Sequence, residues 1–129
     1  MRKELLTSLF VIVIAMMGTV AAQRKMEIYS KAAHQMLQKD ISINVLDVRT
    51  PVEYKNGHIK GAINIDISQN SAFNKIDKLN HNAKYIVHCY TNRRSSFATD
   101  YMVQKGFKVI YQIMDGFYGW ESNNLPIQK

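Results

Sequence analysis

Short apolar runs recur along the chain from residue 43 onward, and polar or glycine-containing segments separate them. The first run, at residues 43–48, is rich in β-branched side chains, as expected of a strand buried within a sheet. The same pattern predicts four strands in all, at residues 43–48, 62–67, 85–88 and 109–113.

Helical patterns lie before and between these strands. An apolar stripe predicts a helix over residues 30–38, which the Ser30 side chain can cap. A short helix follows Thr50 and ends at Gly57, because Glu53 stands three residues after Thr50 as in a capping box. Further helices are predicted over residues 71–79, around Trp120, and from Ser95 or Ser96 to Lys105 with Phe97, Tyr101 and Met102 facing inward.

Strands that alternate with helices imply a mostly parallel sheet covered by helices on both faces. Neither an internal repeat nor a low-complexity linker follows residue 22. The pattern therefore predicts a single three-layer α/β domain over residues 23–129.

Residues 1–22 form a different kind of segment. Arg2 and Lys3 precede an apolar run over residues 5–20, and small side chains follow it, as in a secretory signal peptide cut before Gln23. We therefore expect export, most simply to a bacterial periplasm, with no stable membrane anchor after cleavage. An uncleaved anchor is the alternative, but the run is short for a bilayer span of ~20 residues.

The composition is that of a soluble globular protein, with 47% hydrophobic and 21% charged residues. The formal net charge is +7, of which Arg2, Lys3 and Glu4 supply a net +1, leaving +6 for residues 23–129. This excess favours small anionic partners through electrostatic steering. Basic residues are scattered, so we expect no nucleic-acid partner, and a domain of this size can act as a monomer.

Cys89 is the only cysteine, so it cannot close a disulfide within the chain. It ends a predicted strand, and ligands of open α/β sheets bind beyond such strand ends. Loop amides, the following helix dipole and the pair Arg93-Arg94 all favour a thiolate there. The sequence thus indicates a reactive thiol, with an inert buried cysteine as the alternative.

His88-Cys89 followed by Arg and Ser also suggests a cysteine phosphatase loop, in which five residues separate the cysteine from the arginine. Here four residues separate Cys89 from Arg94. A loop one residue shorter encloses less space and suits a sulfur atom better than a tetrahedral phosphate. The spacing therefore disfavours a phosphatase or arsenate-reductase-like enzyme.

Three separate segments resemble the rhodanese family and together span most of residues 44–120. The first, Asp47-Val48-Arg49 with Glu53-Tyr54 and residues 57–65, looks like its amino-terminal signature. The second, Cys89 to Arg94 followed by Ser95, looks like its six-residue active loop. The third, Met114-Asp115-Gly116-Phe117 through Trp120, looks like its closing signature.

The resemblance implies a rhodanese-like fold and a thiosulfate-type sulfurtransferase that needs no metal or other cofactor. Cys89 would take the outer sulfur of a small anionic donor and hold it as a persulfide. Cyanide or a thiol would then accept it, in two-step covalent catalysis. The substrate-binding residues implied are those of the loop, whose amides would hold the persulfide charge: Tyr90, Thr91, Asn92, Arg93 and Arg94.

Other residues of these segments have structural interpretations. Asp47, Arg49 and Glu53 are expected to form a buried polar network, and His58 to bond backbone groups. His88 should face away from its neighbour Cys89. Trp120, Phe117 and Tyr118 are expected in the core or the pocket wall.

Two positions depart from the family pattern. Tyr90 stands where a basic residue is frequent, and it suits a bulkier or less anionic donor. Asp115 replaces the first of two glycines and would repel thiosulfate if it faced the site. A catalytically idle rhodanese-like module that binds a partner or senses redox state is therefore the main alternative function.

Overall fold

A computed structural model of the chain describes residues 24–129. The predicted signal peptide and its cleavage site lie outside the described residues. Within residues 24–129, no helix has the length and apolar character needed to cross a bilayer.

Five strands of this part of the chain form one parallel sheet in the order β1-β5-β4-β2-β3. Their bounds are Met26–Ile28, Ile43–Asp47, Ile63–Asn64, Lys84–His88 and Val109–Ile113 for β1 to β5. The prediction of an α/β fold with a parallel sheet is confirmed. Strand β4 is central, with β2 and β5 as its neighbours, so Cys89 follows the middle strand of the sheet.

Strand β1 was absent from the predicted set. It pairs Met26 with Tyr111 and Ile28 with Ile113 on β5, so it forms one edge of the sheet. A strand of three residues, one of them Glu27, is too short to show the alternation of apolar and polar side chains that predicts a strand. The predicted strand over residues 62–67 is also shorter in the structure, where only Ile63–Asn64 pairs with β2.

Five helices of the described residues cover both faces of the sheet and are numbered in chain order: α1 Ser30–Lys39, α2 Pro51–Asn56, α3 Ala72–Asp77, α4 Arg93–Gln104 and α5 Gly116–Ser122. One buried cluster joins α3 and α4 to the sheet and includes Val87, Cys89 and Met102. The second includes Ile86 and Trp120. Side chains of β4 thus alternate between the clusters, as the period of a strand requires.

Two helix starts differ from the predictions. Helix α4 begins at Arg93 instead of Ser95 or Ser96, so both arginines lie in its first turn. Helix α1 begins at Ser30 with Tyr29 as its N-cap residue, and the Ser30 side chain does not cap it. The inward orientation expected of Phe97 is wrong, because that side chain is 66% exposed.

The short helix α2 follows its sequence signals closely. The Thr50 hydroxyl accepts from the Glu53 amide at 3.3 Å, and a Glu53 carboxylate oxygen accepts from the Thr50 amide at 3.2 Å. The predicted capping box is therefore present, and Gly57 ends the helix.

Candidate active site

Cys89 follows β4 directly and is 1% exposed, with a free thiol. Its Sγ lies 3.6 Å from the Ser95 hydroxyl on α4. The side chain belongs to the cluster beneath α3 and α4, whereas His88 stacks on Phe117 on the opposite face of the sheet. The expectation that His88 faces away from Cys89 is therefore confirmed.

The first turn of α5 holds the beginning of the loop that follows Cys89. The Phe117 amide donates to the Cys89 carbonyl at 2.8 Å, and the Tyr118 amide donates to the Tyr90 carbonyl at 2.9 Å. His88 Nδ1 lies 3.0 Å from the same Cys89 carbonyl, so this nitrogen carries a proton. These bonds turn the first carbonyls of the loop toward α5.

Gly116 permits this close approach between the loop and α5. Its φ of +57° lies in the left-handed region. A Cβ at this position would collide with the carbonyl oxygens of Tyr90 and Thr91. Only glycine fits here without displacement of the loop.

The other end of the loop is fixed through the Asn92 carbonyl. It accepts from the Ser95 hydroxyl at 3.1 Å, the Ser96 hydroxyl at 2.8 Å and Gln112 Nε2 at 3.0 Å. Gln112 is completely buried on β5. Gln112 was not among the predicted site residues, although a glutamine within a predicted buried strand indicates that its amide group has hydrogen-bond partners.

The amide groups of the loop are left without protein acceptors. Within residues 24–129, none of the amides of Tyr90, Thr91, Asn92, Arg93 and Arg94 donates a hydrogen bond to another residue. The structure thus brings all of the predicted loop residues next to Cys89 in one strand-to-helix connection.

The two arginines of the loop have different surroundings. Arg94 donates to Glu53 from both terminal nitrogens, at 2.7 and 3.0 Å. This pairing holds the pKa of Glu53 well below its usual range, at about 2, and raises the pKa of Arg94. Arg93 is exposed, and its side chain has no ion pair or hydrogen bond among the described residues.

A buried ion pair lies under the α5 side of the loop. Arg49 donates from Nη2 to Asp47 at 2.7 Å and to the Gly57 carbonyl at 2.8 Å, and its guanidinium lies 3.9 Å from the centre of the Phe117 ring. The predicted pairing of Asp47 with Arg49 is confirmed. The inclusion of Glu53 in that network is wrong, because its carboxylate reaches across to Arg94.

His88 borders this ion pair without joining it. Its Nε2 lies 3.6 Å from Asp47 Oδ2 and has no hydrogen-bond partner among the described residues. Burial lowers the pKa of His88, and the opposing attraction of Asp47 is weaker. His88 is therefore neutral at neutral pH, and its contact with Asp47 is not a salt bridge. His58 bonds the Tyr54 carbonyl at 2.8 Å, as predicted.

The exposed surface beside the loop is aromatic. The rings of Tyr90 and Tyr118 meet edge to face, with centroids 6.0 Å apart. Tyr118 is 58% exposed, so of its two predicted places, the core or the pocket wall, the core is excluded, whereas Phe117 and Trp120 are buried as predicted. A cavity of about 640 Å³ between α1, β2 and Trp120 does not include Cys89 among its lining residues.

The Asp115 side chain turns toward α1 instead of toward Cys89. Its carboxylate accepts from the Ser30 amide at 2.8 Å and from the Ser30 hydroxyl at 2.7 Å. It thereby bonds the first amide of α1, where the positive end of the helix dipole also favours a negative charge. Asp115 was expected to repel an anionic donor only if it faced the site, and this condition is not met.

A parallel α/β sheet with a free cysteine at the end of its middle strand, followed by a short loop whose amides have no acceptor within residues 24–129, defines an α/β protein with a cysteine-centred site. The family model of the rhodanese-like domain matches residues 30–123. The chain belongs to the rhodanese-like family, as its three segments predicted.

Similar proteins agree with this assignment. Over 103 residues the chain is 29% identical to the thiosulfate sulfurtransferase GlpE of Glaesserella parasuis, which covers 79% of this chain and 92% of that relative. It is 33% identical to YrkF of Bacillus subtilis over 94 residues, which are 73% of this chain and 50% of YrkF. The matched segment thus spans about half the length of YrkF.

A crystal structure of a rhodanese-related protein from Thermoplasma volcanium has the same fold, with a TM-score of 0.71 and 29% sequence identity. The match covers 80% of this chain and 97% of that one. The rhodanese-like α/β fold predicted from the sequence is therefore confirmed.

Proposed function

We propose that this protein is a sulfurtransferase that moves a sulfane sulfur from a thiosulfate-like donor to a thiol or cyanide through a persulfide on Cys89. The observation that carries the proposal is the placement of a free, buried thiol at the start of a loop whose amides have no protein acceptors. The similarity to a thiosulfate sulfurtransferase supports the same activity.

In the first step, the Cys89 thiolate attacks the outer sulfur of thiosulfate. A bond forms between Cys89 Sγ and that sulfur, and the bond to the sulfonate sulfur breaks with its electron pair leaving on sulfite. In the second step, cyanide or an acceptor thiolate attacks the terminal sulfur of the persulfide. Thiocyanate or a new persulfide leaves, and the Cys89 thiolate is restored.

The loop amides are suited to hold the negative charge of the thiolate and of the persulfide. The carbonyls of Cys89 and Tyr90 are turned toward α5, and that of Asn92 toward Gln112. Because the N–H and C=O groups of a trans peptide point in opposite directions, the amides of Tyr90 and Thr91 turn away from α5 and that of Arg93 turns away from Gln112. Such prearranged donors stabilise an anion in a water-poor site without reorganisation.

Surface charge supports a small anionic donor. The Arg94 charge is compensated by Glu53, so Arg93 is the loop cation that has no partner among the described residues. With the net positive charge of the chain, Arg93 would attract an anion to the loop. We expect the protein to act without a metal or cofactor, as a monomer.

We also propose that the protein works after export, in a bacterial periplasm. The proposal rests on the charged start, apolar run and small side chains of residues 1–22. Amino-terminal sequencing of the protein from the periplasm of an expressing bacterium should begin at Gln23. An intact amino terminus in the membrane fraction would instead support the uncleaved anchor.

Intact-mass measurement tests the activity directly. The mature protein and a Cys89→Ser variant are incubated with thiosulfate, and cyanide is then added. The parent protein should gain the mass of one sulfur atom and lose it to cyanide, whereas the variant should not change. Absence of a persulfide with thiosulfate, an organic thiosulfonate and polysulfide would leave the idle binding module as the better description.

A further inference from the structure

Gln112 connects three oxygen atoms at the end of the Cys89 loop. Its Nε2 lies 3.0 Å from the Asn92 carbonyl, 2.9 Å from the Ser95 hydroxyl and 2.9 Å from the Ser96 hydroxyl. Its Oε1 accepts from Thr99 at 3.3 Å, which fixes the orientation of the amide group. A fully buried glutamine with so many partners at one loop has more than a packing role.

Ser95 is the link between Gln112 and the nucleophile. Its single hydroxyl proton points to the Asn92 carbonyl at 3.1 Å, while its oxygen lies 3.6 Å from Cys89 Sγ. In this arrangement the thiol donates to Ser95, and Ser95 donates to Asn92. The arrangement therefore suits a protonated sulfur, which has a hydrogen to give.

When the Cys89 thiol loses its proton to a base in solution, Ser95 must donate a hydrogen bond to the sulfur instead of accepting one from it. A thiolate, like a persulfide, can only accept hydrogen bonds, so Ser95 must turn its proton from Asn92 toward the sulfur. The Asn92 carbonyl loses one donor at that moment and keeps the Ser96 amide at 2.9 Å and the Ser96 hydroxyl at 2.8 Å. Gln112 Nε2 donates to the Ser95 oxygen at 2.9 Å and holds that oxygen in place while its proton turns toward the sulfur.

We propose that Gln112 is a positioning residue that allows the Ser95 hydroxyl to turn toward anionic sulfur on Cys89. Gln112 acts through Ser95 and does not touch the reacting sulfur. The proposal deepens the proposed function, since the persulfide is one of the two anions that Ser95 serves. Its thiolate stage can be measured without any sulfur donor.

The test follows the rate of Cys89 alkylation by iodoacetamide as a function of pH. It compares the parent protein with Gln112→Met, Ser95→Ala and the double variant. Gln112→Met keeps the length of the side chain and removes its donor. It should slow alkylation at pH 7 by about three- to tenfold, the effect of losing one ordinary hydrogen bond, here the bond to Ser95, and move the half-maximal rate to higher pH.

The double variant distinguishes positioning from a structural role. If Gln112 acts through Ser95, its replacement should add less than about twofold to the effect of Ser95→Ala. Ser96→Ala is the matched control, because it removes another partner of Nε2 that does not contact Cys89, and its rate should stay within about twofold of the parent. Thermal unfolding of each variant reports stability separately.

Two results would overturn the proposal: unchanged alkylation in Gln112→Met, or fully additive effects of the two substitutions. If Gln112→Met does not fold, Thr99→Val frees Oε1 and should slow alkylation by about twofold, and an unchanged rate there would also overturn it. A parent protein that gains no sulfur from any donor, yet shows the Gln112 effect on alkylation, would refute the proposed function and leave this inference standing.

Discussion

Arg94 and Glu53 join the helix that follows Cys89 to the helix that follows β2, through two hydrogen bonds of 2.7 and 3.0 Å. Glu53 is also part of the capping box of α2. One carboxylate therefore fixes both the start of α2 and the second arginine of the loop. The pair is partly exposed, so screening by water limits its contribution to stability.

Replacement of Glu53 by Gln should destabilise the fold by about 1 kcal/mol at pH 7. The folded-state pKa of Glu53 is lowered from 4.5 to about 2, so the stabilisation is present above pH 4.5 and is lost as the pH falls toward 2. Urea unfolding of parent and variant should show the difference shrinking over that interval. A difference that stays constant with pH would show that the ion pair does not stabilise the fold.

His88 should make stability depend on pH in a different range. Burial lowers its pKa in the folded state below the ordinary 6.5, so the unfolded chain binds an additional proton below that pH. Stability should therefore fall as the pH drops below that value, by at most about 1.4 kcal/mol per pH unit.

A His88→Asn variant, which offers an amide nitrogen in place of Nδ1, should lack this component of the pH dependence. Urea unfolding at several pH values measures it. Identical pH profiles for the parent and the variant would contradict the assignment of a buried neutral imidazole.

Gly116→Ala should disrupt both stability and sulfur loading. The new Cβ would collide with the carbonyls of Tyr90 and Thr91, so the loop must move, at a cost of roughly 3 kcal/mol or more. Gly106→Ala is a suitable control, because Gly106 also has a positive φ, of +83°, but no atom lies within 4 Å of its added Cβ.

The control should lose only about 1–2 kcal/mol, the strain of the left-handed backbone, and should still form the persulfide. Thermal unfolding and intact mass after thiosulfate treatment measure the two effects. Equal losses of stability in the two variants would show that contact with the loop is unimportant.

Tyr90→Lys should favour thiosulfate as a donor. It places a positive charge on the same loop as Arg93, and one added charge near an anion is worth about three- to tenfold in KM at low ionic strength. Phe97→Lys adds the same charge at an exposed position of α4, outside the loop, and should have a smaller effect. Initial rates at low and high salt provide the comparison, and equal changes in KM for both variants would show that Tyr90 has no special place at the loop.

Much of the site was predictable because its signals are local. The position of Cys89 at a strand end and the length of the loop follow from neighbouring residues, as does the capping box of Thr50 and Glu53. The short edge strand β1 gave no such signal. Phe97 was placed inward because helical periodicity does not reveal which face of α4 the sheet covers.

The sequence by itself indicated the alternation of strands and helices from residue 30 onward, the candidate reactive cysteine and the residues of its loop. The tertiary structure decided which polar groups meet. Arg94 reaches Glu53, Asp115 reaches Ser30, and Gln112 reaches Asn92, although they stand 41, 85 and 20 positions apart. These partners depend on the strand order β1-β5-β4-β2-β3, which places β1 beside β5 and β2 beside β4 although each pair is separated in sequence. A pattern of apolar and polar residues specifies which side chains are buried, and only the packed sheet specifies what each of them touches.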